Sequence, residues 1–235
     1  MASCCIKAHN HLFLFIAVVV MGLSGSIGLS ADYELWTAAG IRWDRNEDWR
    51  LTFQEAFRFD EEGDQLYYRH TDVGVTYRGL SDWIDLGLRY RGVFGAASDN
   101  KGHIENRPYL QMKINGDVLG FHVSNRNRLE FRDRKDAGDD GWRYRAMFTL
   151  NEPFERIRPG KRRLLKDKIR PYISDELFFD LGDGGYNRNR LYAGLSCLVH
   201  ERVVLNVYYL WQSSNRGGRW EGDLNVLGTT LTFLF

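Results

Sequence analysis

The strongest constraint on the fold is the placement of arginine at every second position beside apolar residues. The pentapeptide Asn-Arg-Asn-Arg-Leu occurs twice, at residues 125–129 and 187–191. Successive side chains of a β-strand point to opposite faces, so each copy sets two arginines on one face and leucine on the other. A fold built from such strands must give one face a polar environment and the other an apolar one.

The same alternation continues through nearly all of the chain after Asp32 and predicts an all-β protein. No window after Asp32 has helical spacing over three turns. Turn chemistry separates the alternating segments, as in Asn46-Glu47-Asp48, Glu62-Gly63-Asp64, Asn115-Gly116-Asp117 and Asp183-Gly184-Gly185. The eleven candidate strands are about 33–43, 49–59, 66–78, 83–94, 104–114, 119–132, 142–150, 169–180, 187–198, 202–212 and 223–235.

The first 31 residues have the order of a secretory signal peptide. Lys7 precedes an apolar run from Leu12 to Leu23, and small residues follow. The run is too short for a spanning helix, which needs about 20 residues. We therefore expect residues 1–31 to be a cleaved signal peptide and residues 32–235 to form one domain; the alternative is a retained N-terminal anchor.

Charge and cysteine content exclude several classes of protein. Lys7 is the only charged residue of the predicted signal, so 32 minus 1 leaves 31 basic residues against 31 acidic ones. A neutral chain gives no support for nucleic-acid binding, which usually needs a basic excess. Cys4 and Cys5 leave with the signal, so Cys197 has no disulfide partner. No metal-ligand spacing or phosphate-binding loop is present, and we expect no metal or cofactor.

The apolar faces favour a barrel in a membrane over a soluble sandwich. In the seventh segment Trp142, Tyr144 and Phe148 share a face opposite Arg143 and Arg145. Exported strands of nine or more residues match a tilted bilayer span, which lipid tolerates only in a closed sheet. Aromatic girdles are typical of outer-membrane barrels. Candidates for them at strand ends are Trp36, Trp43, Trp49, Trp83, Trp142 and Trp211.

These features predict a closed, antiparallel, up-and-down transmembrane β-barrel of about 10 to 12 strands in the bacterial outer membrane. Because bacterial single-chain barrels usually have even strand numbers, twelve is favoured over the counted eleven, with ten close behind. The expected partners are the outer-membrane lipid bilayer and the assembly machinery; the barrel itself is expected to be a monomer. The proposed assembly signal is the alternating, Phe-terminated end of the chain, with Leu231, Phe233 and Phe235.

Several sequence blocks resemble an uncharacterised bacterial outer-membrane family, the domain of unknown function 2490. The resemblance covers essentially the whole mature chain. It implies a barrel in a Gram-negative envelope but brings no activity and no catalytic residues. The blocks are Glu34 to Thr37, Asn125 to Arg132, Trp142 to Arg145, Pro171-Tyr172, Asp175 to Phe179 and Asn187 to Leu195.

If the apolar face meets lipid, the charged face encloses the lumen. Two interpretations follow: a lumen plugged by arginine-carboxylate pairs, or a narrow pore that prefers anions. Alternation places Glu55 and Asp175 on the lipid face, where a carboxylate is unexpected. A nearby β-bulge that shifts the register would explain their position. The predicted charge network consists of Arg89, Arg91, Glu105, Arg107, Arg126, Arg128, Glu130, Arg143, Arg145, Glu176 and Arg190.

The basic segment 151–168 is expected on the periplasmic side when strands are counted back from the C-terminus. It is either a solvated turn or a contact for an anionic envelope polymer or lipid phosphate. A strand missed after it would move the segment outside, towards lipopolysaccharide.

One short motif suggests an enzyme. His122-Val123-Ser124-Asn125 resembles a stretch of lipid A 3-O-deacylase barrels, in which His activates Ser and a carboxylate orients the His. Glu130 or Asp136 would be that carboxylate. Alternation places His122 and Ser124 on the arginine face, whereas such an enzyme must face the bilayer. A lipid hydrolase is therefore the alternative to the non-enzymatic interpretations.

Overall fold

In the computed structural model the described residues form eleven strands and no helix. The structure describes residues 32–60, 63–95, 103–135, 140–151, 168–182 and 184–235. The predicted signal peptide and most of segment 151–168 lie outside these ranges. The strands are β1 (Asp32–Asp44), β2 (Trp49–Phe59), β3 (Leu66–Ser81), β4 (Ile84–Gly95), β5 (His103–Val118), β6 (Phe121–Lys135), β7 (Gly141–Asn151), β8 (Ile169–Leu181), β9 (Gly185–His200), β10 (Val203–Arg216) and β11 (Arg219–Leu234).

The strands close into a barrel, as the alternation predicts. Each strand pairs antiparallel with its sequence neighbours, and β1 closes the wall against β11. That seam is parallel, in register from Asp32↔Leu224 to Arg42↔Leu234. The preference for twelve or ten strands was wrong, because a parallel seam lets an odd number close. We call the enclosed space the lumen. The two ends of the barrel are called the Asp32 end and the Phe235 end, after residues that lie there.

One predicted turn was misplaced by a few residues. Asn115, Gly116 and Asp117 lie inside β5, and the chain reverses at Leu119 and Gly120. Both turn residues have positive φ, 52° and 81°, which suits a two-residue hairpin between right-twisted strands. The sequence did not reveal the true turn, because its first position holds a leucine. The left-handed conformation costs leucine about 1 kcal/mol, so this residue is not expected at such a position.

Within the described part of the chain, no helix is long and apolar enough to span a membrane.

The outer surface of the barrel is apolar between two aromatic bands. Its most exposed mid-wall side chains include Leu88, Leu110 and Leu227. Exposed aromatic residues at the Phe235 end are Trp43, Trp49, Trp83, Phe121 and Phe235, and those at the Asp32 end are Tyr33, Phe94, Trp142, Tyr186 and Trp220. Trp36 was wrongly assigned to such a band: it is buried with Leu210, Leu224 and Val226 in a small apolar cluster of the lumen.

A row of alternating aromatic and glycine residues crosses the wall beside the seam. The backbone pairing runs from Tyr172 through Gly194, Tyr208 and Gly228 to Trp36. A β-carbon on Gly194 would lie 2.6 Å from Cζ of Tyr172, and one on Gly228 would overlap the Tyr208 ring. Each tyrosine ring therefore lies flat over the glycine of the next strand. Only glycine, which has no β-carbon, leaves room for the ring at these positions.

Replacing Gly228 with alanine should destabilise the barrel by about 1–3 kcal/mol, because the new methyl group overlaps the Tyr208 ring and forces it out of its packed position. The measurement is urea unfolding of the protein in detergent micelles. The matched control is Gly116→Ala in β5, where a β-carbon would meet nothing within 4 Å. Adding Tyr208→Ala should recover part of the loss; equal effects of the two glycine variants would contradict this packing.

Candidate functional site: the arginine-lined lumen

The site begins with carboxylates on inward positions of four strands. Asp72 of β3, Glu105 of β5, Glu130 of β6 and Glu176 of β8 are each at most 2% exposed. A carboxylate this deeply buried is costly unless it is paired and hydrogen-bonded. Each of the four has an arginine within salt-bridge distance.

Asp72 is the centre of the first cluster. Arg89 bonds to one carboxylate oxygen, and Arg91 Nε donates to the other at 2.9 Å. The Tyr109 hydroxyl donates to Asp72 at 2.6 Å. Arg89 also bonds to Thr52 at 2.8 Å, so a single carboxylate connects side chains of β2, β3, β4 and β5.

Glu105 accepts forked hydrogen bonds from two arginines. Arg107 donates at 3.0 and 2.8 Å, and Arg132 at 2.5 and 3.0 Å. Two parallel bonds per arginine match the planar guanidinium to the planar carboxylate. Arg143 makes the same forked contact with Asp180, at 2.5 and 2.8 Å.

Arg145 of β7 connects the strands on either side of it. Its two terminal nitrogens donate to Glu130 of β6 at 2.9 Å and to Glu176 of β8 at 2.7 Å. Glu176 also accepts from Arg126 at 2.9 Å and from the Tyr192 hydroxyl at 3.1 Å. The network therefore crosses from β6 to β9 inside the wall.

Among the described residues, the inward arginines without a carboxylate partner within 4.0 Å include Arg58, Arg128, Arg188 and Arg190. Neutral groups contact them instead. Arg128 and Arg190 donate to Gln111 at 2.9 Å and Gln212 at 2.7 Å. Aromatic rings supply the remaining contacts.

Trp36 and Phe178 hold three of these guanidinium groups, and Arg128 lies 5.0 Å from the Tyr109 ring centre. The guanidinium carbon of Arg58 lies 3.7 Å from the Trp36 ring centre, and that of Arg190 lies 5.0 Å from it. Phe178, 2% exposed, has Arg145 at 4.6 Å and Arg190 at 4.9 Å, with Arg143 and Arg188 both at 5.9 Å. The rings attract cations through their faces, so they position the arginines without neutralising them.

These side chains line a cavity of about 480 Å³ in the lumen. Among the described residues, Glu105 supplies the only carboxylate on its lining. The ten arginines on the lining are Arg58, Arg91, Arg107, Arg126, Arg128, Arg132, Arg143, Arg145, Arg188 and Arg190. The surface facing the cavity is therefore strongly cationic, although the chain as a whole is close to neutral.

The structure brings the eleven residues of the predicted charge network together on the inward face. The prediction omitted Arg188 and Asp180. Arg188 is two residues from Arg190, and Asp180 is four residues from Glu176, so alternation along the strand places both on the inward face. Trp36 and Phe178 were missed for a different reason: tryptophan and phenylalanine were expected on the lipid face. Phe178 alternates with Glu176 and Asp180 along β8, so its inward position could have been predicted, whereas no local signal marks Trp36.

The predicted serine-histidine pair has other partners. His122 Nδ1 lies 2.9 Å from a carboxylate oxygen of Asp117, and Glu130 is held by Arg145. Ser124 is buried on the same face of β6 as Arg126. Asp136, the other proposed orienting carboxylate, lies outside the described residues. The hydrogen bonds of this region thus link His122 to Asp117.

Glu55 and Asp175 lie on the outer face with neighbours of their own. Glu55 accepts from Arg69 at 2.5 Å and Thr71 at 2.7 Å, and Asp175 accepts from Asn189 at 2.6 Å. Both lie in regular register, opposite Thr71 and Leu191, and the register shifts that follow at Arg58/Phe59 and Phe178/Phe179 leave them on the outer face. The bulges are therefore present nearby but do not explain these carboxylates, which cross-strand pairing satisfies.

The C-terminal residue is fixed to the first strand. Phe235 N donates to Arg42 O and Asp44 N donates to Phe235 O, both at 2.9 Å. Recognition of Leu231, Phe233 and Phe235 by assembly machinery stays a prediction. In the described ranges no three His, Cys, Asp or Glu side chains are grouped to hold a metal ion.

Asp72→Asn should destabilise the barrel by about 3–5 kcal/mol, since it leaves Arg89 and Arg91 buried without their shared counter-charge. Asp44→Asn is the matched control, because the Arg50–Asp44 pair is partly exposed at the barrel rim and should contribute about 0–1 kcal/mol. Urea unfolding in micelles measures both. Similar losses for the two variants would show that the buried network has no special role.

Comparison with known proteins places the chain in a family. The family described as "Protein of unknown function (DUF2490)" matches residues 33–223. Among solved structures, LpxR from Salmonella typhimurium aligns with a TM-score of 0.49 and 12% identity, over 83% of this chain and 87% of that chain. No curated protein matches. The match over most of the chain shows that this protein belongs to the DUF2490 family.

Proposed function

We propose that this protein is an integral outer-membrane β-barrel whose lumen is closed to free flow by its arginine-carboxylate pairs. One observation carries the proposal: paired charged side chains line the inside of a closed barrel whose outside is apolar. The enclosed carboxylates Asp72, Glu105, Glu130 and Glu176 are almost fully buried, whereas Leu88 and Leu110 on the outer wall are each 59% exposed.

The energetics support insertion in a bilayer. An arginine on the lipid-facing surface at mid-membrane costs about 2–4 kcal/mol, so ten arginines on the lumen side strongly favour this orientation of the wall. A soluble protein would have to cover the exposed leucine, tryptophan and phenylalanine residues by another route. Two aromatic bands at opposite ends match the positions of the two membrane interfaces.

A second candidate is a narrow pore that prefers anions. The cavity lining favours it, since its described residues include ten arginines and a single carboxylate. Against steady conduction stand the forked pairs that hold Arg107, Arg132 and Arg143 to the wall. The closed lumen is therefore the primary proposal and the anion pore its competitor.

The partners follow from this location. The outer-membrane lipid surrounds the apolar wall, lipopolysaccharide is the natural lipid contact on the outer leaflet, and the assembly machinery acts on the alternating residues Leu231, Phe233 and Phe235. The eleven strands of one chain close the barrel without strands from a second chain, so the barrel is proposed to act as a monomer.

A closed barrel in the outer membrane predicts two measurements on the same sample. The protein should fractionate with outer membranes, and on a denaturing gel it should migrate differently before and after boiling, because a closed β-barrel resists detergent unfolding. Unchanged migration, or recovery in the soluble fraction, would contradict the proposal.

Planar-bilayer recording separates the closed barrel from the pore. The wild-type barrel should give no steady conductance. Glu105→Ala frees Arg107 and Arg132 from their shared partner and should increase open events that carry mainly anions. Steady conductance of the unaltered protein would favour the pore.

A further inference from the structure

We infer that the lumen cavity is a binding site for a small molecule that carries two or more phosphate or carboxylate groups. The inference goes beyond the closed barrel and rests on the proposed function in one respect: the lumen must be reached from an aqueous compartment.

Charge balance inside the cavity is the first argument. The carboxylates of Asp72, Glu130 and Glu176 lie behind their arginines, and among the described residues only Glu105 brings a carboxylate to the lining. In this part of the chain four lining arginines have no carboxylate partner, and two of them, Arg128 and Arg190, are 8% and 7% exposed. Buried charges are retained when a counter-charge is present. An anionic ligand would supply that missing charge.

The second argument is preorganisation by aromatic rings. Arg58 is stacked on Trp36 at 3.7 Å and on Tyr68 at 4.1 Å, measured to the ring centres. A guanidinium group lying over a ring still has its N–H donors in its own plane. Trp36 and Phe178 therefore hold arginine donors in place for an oxyanion without using them.

The size and spread of the cationic surface favour a multivalent ligand. A volume of about 480 Å³ is within the range of about 300–1,000 Å³ typical of small-molecule sites. The carboxylate-free arginines lie on β2, β6 and β9, on different parts of the lining. One monovalent ion would leave most of them unmatched, whereas two or more oxyanion groups on one molecule can reach several.

The test is isothermal titration calorimetry of the refolded barrel in detergent micelles with two probes, inorganic pyrophosphate and citrate. These probes separate phosphate from carboxylate as the preferred group. We expect saturable binding of at least one of them, with affinity that falls as sodium chloride rises to about 0.5 M, because salt screens charge interactions. Absence of saturable heat for both probes would overturn the inference.

Variants assign the binding to the lumen. Arg58→Gln and Arg188→Gln, made separately, should each weaken binding about tenfold, as expected for loss of a hydrogen bond to a charged group. Arg58→Lys keeps the charge and should weaken it less. The matched control is Arg219→Gln at the exposed start of β11, which should leave affinity unchanged. Equal affinities of Arg58→Gln, Arg188→Gln and Arg219→Gln would also overturn the inference.

The heat-dependent gel shift of each variant shows that it is folded before titration. Binding in micelles needs neither membrane insertion nor conductance. A barrel that binds neither probe yet fractionates with outer membranes would refute the ligand site alone. One that binds pyrophosphate but fractionates as a soluble protein would refute the location alone.

Discussion

Pairing of inward arginines with buried carboxylates is the interaction on which the rest of this structure depends. Arg145 reaches Glu130 and Glu176 on the strands at either side, and Asp72 connects Arg89, Arg91 and Tyr109. Buried pairs of this kind add little net stability compared with apolar packing, but breaking one of them is costly. Their main effect is to fix which face of each strand points inward, because a slip by one residue would put these charges outside.

The lumen has two chemically different halves that meet at the cavity. Strands β3 to β8 contribute the carboxylates and their arginines, whereas β1, β10 and β11 contribute the apolar cluster of Trp36, Leu210, Leu224 and Val226. Arg58 and Arg190 lie at the boundary and stack on Trp36. The parallel seam belongs to the apolar half, where flat tyrosine rings over glycine take the place of ion pairs.

Period-two alternation was enough to predict the strands and the closed barrel. Strand ends agree within a few residues, since most turns contain Gly, Asn or Asp. Features decided by a partner strand were not predictable. Trp36 is accommodated inside because it packs in the apolar cluster formed with β10 and β11, and Glu55 is tolerated outside because Arg69 and Thr71 are beside it. Local sequence contains neither fact, and the odd strand number depends on the same long-range pairing.

The most direct test of the central claim, charge inside and hydrocarbon outside, is fluorescence of single tryptophans in vesicles with brominated acyl chains. One variant keeps Trp36 and replaces the other six tryptophans with phenylalanine. A second variant has all seven replaced and carries Leu88→Trp on the outer wall. The account predicts strong quenching of the tryptophan at position 88 and almost none of Trp36. Equal quenching of both, or stronger quenching of Trp36, would contradict it.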